Sequence, residues 1–321
     1  MGDRDNVVQK HVGSAKTALP VSIQFDHIKS AFIEATAYVD TCSLNNDERL
    51  YMEVFLESFF NVPVLKDGVL LTHENVVKAL NQDTMEFSNG LGYYSYGQFS
   101  GGAFGQLAHF ALKVESSKYE KLGPWFQALL LNQVYNTERL KIATTKLLND
   151  ISPIRRDGYR MVNATLQYTV FNDQSNYKAA SVMKQSKFLM ELSARLISNP
   201  ESVLAQIDAV RAKLFRVENL RFHIVGDVLS LKRPLDVWAR VSWPLTSAPL
   251  APIRYAHEFL APEGVRLGVH QLVNMSTIES SFAVHIAKGL KDYNDPDLPA
   301  LMVLNEMLST MEGVFWKEVR I

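Results

Sequence analysis

Residues 28–41 read IKSAFIEATAYVDT, and residues 44–60 read LNNDERLYMEVFLESFF. The first stretch is dense in β-branched and aromatic residues, which suit a half-buried strand better than a helix. In the second stretch, residues 44–47 supply turn and N-cap chemistry, and residues 48–60 place apolar side chains at helical spacing on one face. The sequence therefore predicts a strand, a turn and an amphipathic helix.

The same succession recurs near the end of the chain. Residues 280–288 (SSFAVHIAK) favour a strand, residues 292–296 a turn, and residues 297–311 a helix with an apolar stripe. Asp47 and Asp297 stand at equivalent points of the two copies, a spacing of 250 residues. Because a period this long has the length of a domain rather than of a solenoid repeat, we expect one complete domain followed by the start of a second copy.

The expected organisation follows from this repeat and from a proline-rich stretch. We expect an N-terminal extension at residues 1–19, an α+β domain at 20–242, a linker at 243–262 and the truncated start of a second domain at 263–321. The last segment, with strands predicted at 266–273 and 280–288, has too few elements to enclose a core. We therefore expect the chain to be a piece of a longer protein.

Between the first strand-helix unit and the late repeat, the sequence predicts further strands and helices. Thr72, Thr137 and Asn199 are the predicted N-caps of three helices, the last strengthened by Pro200 in the first helical position. A turn is predicted at residues 66–68, strands at 107–114 and 220–225, and helices at 72–80, 119–131, 137–149, 159–168, 179–197 and 200–214.

Composition excludes several classes of protein. The chain has 321 residues, is 47% hydrophobic and carries a formal net charge of -1, so it offers no basic field for nucleic acid and no polybasic membrane patch. No stretch approaches the roughly 18 to 20 apolar residues of a membrane span. The single cysteine, Cys42, fits a reducing compartment. We expect a cytoplasmic protein, with a mitochondrial location as the alternative if the native N-terminus lies upstream of Met1.

Neither helix-borne zinc motif can be written from this chain. His73-Glu74 and His257-Glu258 each begin H-E-x-x-H, but the second histidine is replaced by Val77 and Ala261. The inverted motif H-x-x-E-H fails because no glutamate is followed directly by histidine. No metal ligand and no catalytic residue is predicted within the chain.

Several other residues could have a function, but for each of them a structural interpretation is at least as good. The six glycines at residues 90–105 fit no phosphate-binding motif, so hairpin turns and close strand packing account for them better. His109, His223 and His285 fall within predicted strands, where a hydrogen-bonded histidine is the simpler interpretation. Cys42 has no neighbouring histidine to activate it. The arginine pair at 155–156 could bind an acidic ligand or be solvated beside a turn.

The sequence resembles the M16 (pitrilysin or insulinase) zinc peptidases, and most closely their presequence-protease-like branch. The resemblance runs from about residue 20 onward and rests on dispersed positions rather than on one motif. The segments that carry it are residues 30–32, 51–57, 66–68, 76–84, 113–114 and 138–141.

The resemblance implies an α+β fold with an antiparallel-rich mixed sheet and helices packed on one face. Members have four homologous domains around a closed chamber, and the zinc motif H-x-x-E-H belongs to the first. This chain resembles the third domain and the start of the fourth, a noncatalytic C-terminal half. Zinc would then be held by the missing N-terminal half, and no cofactor by this chain. The implied partners are that half and unfolded peptides, with no nucleic acid and no membrane.

One residue is carried over from the family. In active members a fourth-domain arginine, followed by a tyrosine, holds the substrate backbone near the zinc, and Arg320 resembles that arginine in its setting of residues 313–319. The alternative is a solvated arginine at a helix end, where the dipole favours a cation. The tyrosine is absent, because the chain ends at Ile321.

The leading hypothesis is therefore a noncatalytic fragment of an M16-type zinc metalloendopeptidase, which walls the chamber and helps to bind unfolded peptides. A metal-free scaffold subunit of a larger assembly is the alternative from a different class. A third possibility is an independent module that binds peptides at an exposed sheet edge.

Overall fold

The strand predicted at residues 28–41 runs over Phe32–Asp40 in a computed structural model of the chain. The structure describes residues 7–13, 19–93, 103–244, 248–266, 268–287, 289–290, 294–311 and 313–319. It divides into a first unit, Met1–Tyr94 with Gly102–Phe282, and a second, Ser95–Gly101 with Ala283–Ile321.

The first unit is built on a five-stranded mixed sheet. Its strands lie in the order β1-β7-β2-β6-β5, and a separate hairpin pairs β3 with β4. Strands β1 and β7 run parallel, and the other neighbours are antiparallel. The strands are β1 (Ser22–His27), β2 (Phe32–Asp40), β3 (Val64–Lys66), β4 (Val69–Leu71), β5 (Glu86–Leu91), β6 (Leu107–Glu115) and β7 (Leu220–Gly226).

Helices make up most of the remaining chain. No helix in the described residues is both long and apolar enough to cross a bilayer. In the first unit they are α1 (Val7–Gly13), α2 (Asn46–Leu50), α3 (Met52–Ser58), α4 (His73–Asp83), α5 (Leu122–Phe126), α6 (Thr137–Ile154), α7 (Gly158–Val170), α8 (Asn176–Ala180), α9 (Val182–Ser198), α10 (Pro200–Leu214) and α11 (Asp236–Ala239), and in the second α12 (Leu298–Ser309) and α13 (Val314–Val319).

Alternation along the strands places the core on one side of the sheet. Ile33, Ala35, Ala37 and Val39 of β2 are fully buried, whereas Glu34 is exposed. Large aromatic side chains from helices and neighbouring strands fill the same core, among them Phe55, Phe59, Phe110, Phe126, Phe222, Trp125 and Trp238. The sheet therefore has helices packed on one face, as predicted.

The turn after β2 is closed by a reciprocal cap. The Asn45 side chain accepts from the Glu48 backbone N–H over 2.9 Å, and the Glu48 side chain accepts from the Asn45 N–H over 2.9 Å. The predicted single helix is divided at Tyr51 into α2 and α3, and a 3₁₀ turn, Phe59–Asn61, ends it. The predicted strand, turn and helix are thus confirmed, with a break inside the helix.

Local signals predicted several other elements well. Asp67 and Gly68 both take positive φ in the turn between β3 and β4, and Thr72 caps α4 by accepting from the Asn75 N–H. Asn199 caps α10 with Pro200 in its first turn. Strands β6 and β7 match the predicted 107–114 and 220–225.

Some boundaries were wrong. Asn136, not Thr137, caps α6: its backbone is extended and its side chain accepts from the Arg139 N–H over 2.9 Å. The helix also continues past residue 149 to Ile154, with Pro153 in its last turn, so that only the end of the helix loses a backbone N–H donor. The helix predicted at 179–197 begins at Val182. The helix predicted at 119–131 opens in a 3₁₀ turn and closes in a π-helical one.

The late strands were also predicted wrongly. The described residues of 266–273 and 280–288 form no strand, since no described segment supplies the hydrogen-bonding neighbour that a strand requires. The helical part of the predicted repeat is present as α12. The predicted boundaries at 19, 242 and 262 stay predictions. Residues of the expected linker hydrogen-bond within the first unit, Ala251 to Glu218 and Ala261 to Val170.

Candidate functional site

A groove of about 510 Å³ lies in the first unit beside β5, one of the two edge strands of the sheet. Helix α3 and the 3₁₀ turn after it form one wall, β5 forms another, and α4 and α6 each add one apolar side chain. The residues that line the groove are Glu53, Leu56, Glu57, Phe60, Asn61, Val77, Phe87, Ser88, Asn89, Gly90, Leu91 and Leu147.

The outer edge of β5 offers backbone hydrogen-bonding groups. Gly92 donates its N–H to the carbonyl of Leu107 on the β6 side, over 2.6 Å. In an antiparallel pair the inward and outward groups alternate, so the N–H and C=O groups of Phe87, Asn89 and Leu91 point away from β6. No described segment pairs with this edge. The groove is therefore bordered by three residues whose backbone can accept another strand.

Two contacts hold β5 against the helix wall. The Asn89 side-chain N–H donates to the carbonyl of Leu56 on α3 over 2.9 Å. The rings of Phe60 and Phe87 pack with centroids 4.8 Å apart. These contacts fix the distance between the strand edge and the helix, which sets the width of the groove.

Gly90 occupies a position in β5 where a side chain would collide with a residue of the neighbouring strand. A Cβ atom at this position would lie 2.7 Å from Cε1 of His109, the residue opposite it in β6. Gly92 takes a φ of 79° directly after β5, and Gly92 and Tyr93 still hydrogen-bond to Leu107 and Phe104. Close packing is confirmed at Gly90, whereas Gly97, Gly101 and Gly102 lie outside the described residues.

Two carboxyl groups line the groove, and one of them has a cationic partner among the described residues. Glu57 Oε1 lies 2.7 Å from Nζ of Lys146 on α6. Glu53, one turn earlier on α3 and half-buried, makes no hydrogen bond or ion pair with any described residue. Burial, aided by repulsion from Glu57, raises the pKa of Glu53 to about 7. The groove thus holds a carboxyl group that changes charge near neutral pH.

The described part of the chain has no metal-binding cluster. No three His, Cys, Asp or Glu side chains within it lie close enough together to hold an ion. His73 Nε2 lies 3.0 Å from Glu74 rather than beside a second histidine. The described residues therefore do not fit a resident zinc ion.

Two histidines make the hydrogen bonds that their strand positions predicted. His109 Nδ1 lies 3.1 Å from the carbonyl oxygen of Gly92, and burial lowers the pKa of His109. His223 Nε2 lies 2.6 Å from Asp26 Oδ2 across the parallel β1–β7 pair. His285 was wrongly placed in a strand and is exposed.

The surroundings of Cys42 and Arg155 indicate structural rather than catalytic roles. Burial, with the nearby Asp40 carboxylate, raises the pKa of the Cys42 thiol to about 12, which suppresses the thiolate needed by a nucleophile. Arg155 donates to the Ser186 hydroxyl over 2.9 Å. Neither residue contributes to the groove.

Arg320, the one site residue predicted from the sequence, lies outside the described residues and stays a prediction. Sequence analysis missed Glu53, Glu57 and the free edge of β5. The spacing of four residues between Glu53 and Glu57 indicates a shared helix face. That this face meets β5 is decided only by tertiary packing.

Three curated proteins of eukaryotes are similar to nearly the whole chain. They are uncharacterized proteins of Schizosaccharomyces pombe (26% identical over 327 residues), Caenorhabditis elegans (24% over 308) and Saccharomyces cerevisiae (21% over 336). The matches cover 98%, 94% and 98% of this chain but 31%, 30% and 32% of the relatives. The chain thus spans about a third of the length of these proteins. No protein-family model matches it.

Solved structures share the fold at low sequence identity. The inactive domain of a peptidase M16 from Pseudomonas fluorescens has a TM-score of 0.52 and 16% identity, covering 73% of this chain and 51% of that one. A protease from Helicobacter pylori has a TM-score of 0.52 and 10% identity, covering 74% and 52%. A conserved protein from Enterococcus faecalis gives 0.51 and 13%, covering 74% and 54%. The chain therefore has the α+β fold of M16 peptidase-like domains.

Proposed function

We propose that this chain is a noncatalytic part of an M16-type zinc metalloendopeptidase of the presequence-protease-like branch, which walls the chamber and binds unfolded peptides. The fold, the failed search for a zinc motif and the threefold greater length of the relatives support this proposal. Zinc would be supplied by an N-terminal half of the same polypeptide in the cytoplasm.

The observation that carries the peptide-binding role is the free edge of β5 above the groove. An extended peptide placed there would gain backbone hydrogen bonds from Phe87, Asn89 and Leu91, while its side chains would reach the groove. A folded protein presents few backbone groups in this form, so the edge favours unfolded substrates.

The first experiment measures cleavage of unstructured peptides by the full-length protein, with and without a chelator. We expect cleavage that the chelator abolishes. Full-length protein that binds peptides but never cleaves them would support instead the second candidate, a metal-free scaffold subunit.

The second experiment tests the edge itself. Leu91→Pro removes one outward N–H without removing an inward ladder bond, and Leu91→Ala is the matched control because it shortens the same side chain but keeps the N–H. We expect Leu91→Pro to weaken peptide binding about fivefold or more relative to Leu91→Ala. Equal affinities of the two variants would refute binding at this edge.

A further inference from the structure

The groove beside β5 has an electrostatic asymmetry that bears on which peptides it accepts. Glu53 and Glu57 are its titratable lining residues, and the other ten are apolar or neutral. Because Lys146 neutralises Glu57, the carboxylate of Glu53 is the uncompensated charge.

The described elements around Glu53 make no ion pair with it. Helix α4 contributes Val77 to the groove, and α6 contributes Leu147. On α6, Lys146 is already paired with Glu57, and Asp150 also acts electrostatically on Lys146. Arg139 of the same helix donates to the backbone carbonyl of Asn61 over 2.8 Å and not to Glu53. On β5, Glu86 points to the opposite, exposed face, because side chains alternate along a strand. No described residue supplies a positive partner for Glu53, which leaves its carboxylate free to pair with a cationic ligand.

The shape of the groove suits a long basic side chain. Leu56, Phe60, Phe87 and Leu147 provide apolar surface for a methylene stem, while Glu53 lies ready for a charged end group. A volume of about 510 Å³ exceeds the space that one lysine or arginine side chain needs. We propose, resting on the proposed peptide-binding function, that this groove selects extended peptides carrying lysine or arginine, with Glu53 as the residue that determines specificity.

This selectivity depends on the ionisation of Glu53. Since the pKa of Glu53 is raised to about 7, the carboxyl is largely protonated at pH 5.5 and largely charged at pH 8.5. Lysine stays charged over this range. The preference for a basic peptide should therefore grow as the pH rises, while binding of a neutral peptide should change little.

The test uses the full-length protein and nine-residue extended peptides of serine, threonine and valine, which differ only in a central lysine, norleucine or glutamate. Fluorescence anisotropy at pH 8.5 should show the lysine peptide binding about tenfold more tightly than the norleucine peptide, with the glutamate peptide weakest. At pH 5.5 the lysine and norleucine peptides should bind within about twofold of each other.

Variants separate specificity from folding. Glu53→Gln should abolish the lysine preference, Glu53→Asp should keep part of it, and Glu191→Gln, an exposed carboxylate on α9, should leave it unchanged. Equal binding of lysine and norleucine peptides by the unmodified protein at pH 8.5 would overturn this inference and leave the proposed function standing. Failure of all three peptides to bind would refute both. A lysine preference that persists in Glu53→Gln, with an unchanged thermal unfolding midpoint, would also overturn it.

Discussion

The side-chain amide of Asn89 donates to the backbone carbonyl of Leu56 over 2.9 Å and so connects the edge strand β5 to the helix that carries Glu53. The two residues are 33 positions apart. The bond joins the two walls of the groove, α3 and β5.

Asn89→Ala should weaken this connection. The Leu56 carbonyl still accepts from the Phe59 N–H, so no buried acceptor is left unpaired, and we expect a loss of about 1 kcal/mol in the free energy of unfolding. Urea denaturation measures this loss, and hydrogen exchange should show faster opening of β5. Asn163→Ala is the control, because its amide donates within α7 to Tyr159. Equal effects of the two variants would contradict the role of Asn89.

Asn176→Ala should cost far more. Asn176 is fully buried: its Oδ1 accepts from Arg49 over 2.6 Å, and its Nδ2 donates to Thr41 and to the carbonyl of Gly105. Removing the amide leaves the buried Arg49 guanidinium short of an acceptor, so we expect a loss of about 2 to 4 kcal/mol. Chemical denaturation checks this. A loss below about 1 kcal/mol would show that water replaces the amide.

Glu53 should make stability depend on pH. Its folded-state pKa of about 7 lies above the usual value, so the folded protein holds the proton more tightly than the unfolded chain does. The resulting stabilisation is complete below the usual glutamate pKa and is lost as the pH rises through 7. Glu53→Gln abolishes this loss, and the variant should gain about 1 to 3 kcal/mol relative to the unmodified chain between pH 5 and pH 8.

Denaturation at both pH values measures the gain in Glu53→Gln. Glu191→Gln, on an exposed surface, should show none of it. The same uncompensated carboxyl that reduces stability at pH 8 is the one proposed to recognise a basic side chain, which is the compromise expected of a binding site.

Cys42 should react slowly in the folded protein. Because burial and Asp40 raise its pKa to about 12, the thiolate fraction at pH 8 is on the order of 10⁻⁴. We expect Ellman's reagent to modify the single cysteine at least about a hundredfold faster in guanidinium chloride than in native buffer. Comparable rates in the two conditions would show that Cys42 is reactive in the folded state.

Local chemistry was enough to predict much of the fold. Turns, helix caps and strand alternation each depend on a few neighbouring residues, so they can be predicted from the sequence. Examples are the turn before α2, the caps Thr72 and Asn199, and the alternation in β2, β6 and β7. Two boundaries of α6 were wrong. At its start the sequence does not show which of the adjacent residues Asn136 and Thr137 takes the extended backbone of the cap, and at its end it does not show that Pro153 is included in the last turn.

By itself the sequence determined that this chain holds neither H-E-x-x-H nor H-x-x-E-H, and that its strands and helices alternate as in an α+β domain. Only the tertiary structure decided that β5 lies at the edge of the sheet, that Lys146 pairs with Glu57, and that Glu53 has no partner among the residues that the structure describes. The physical reason is the distance along the chain over which each kind of interaction acts. Periodicity and capping depend on neighbours in the chain, whereas a groove and an uncompensated charge depend on which distant segments pack together.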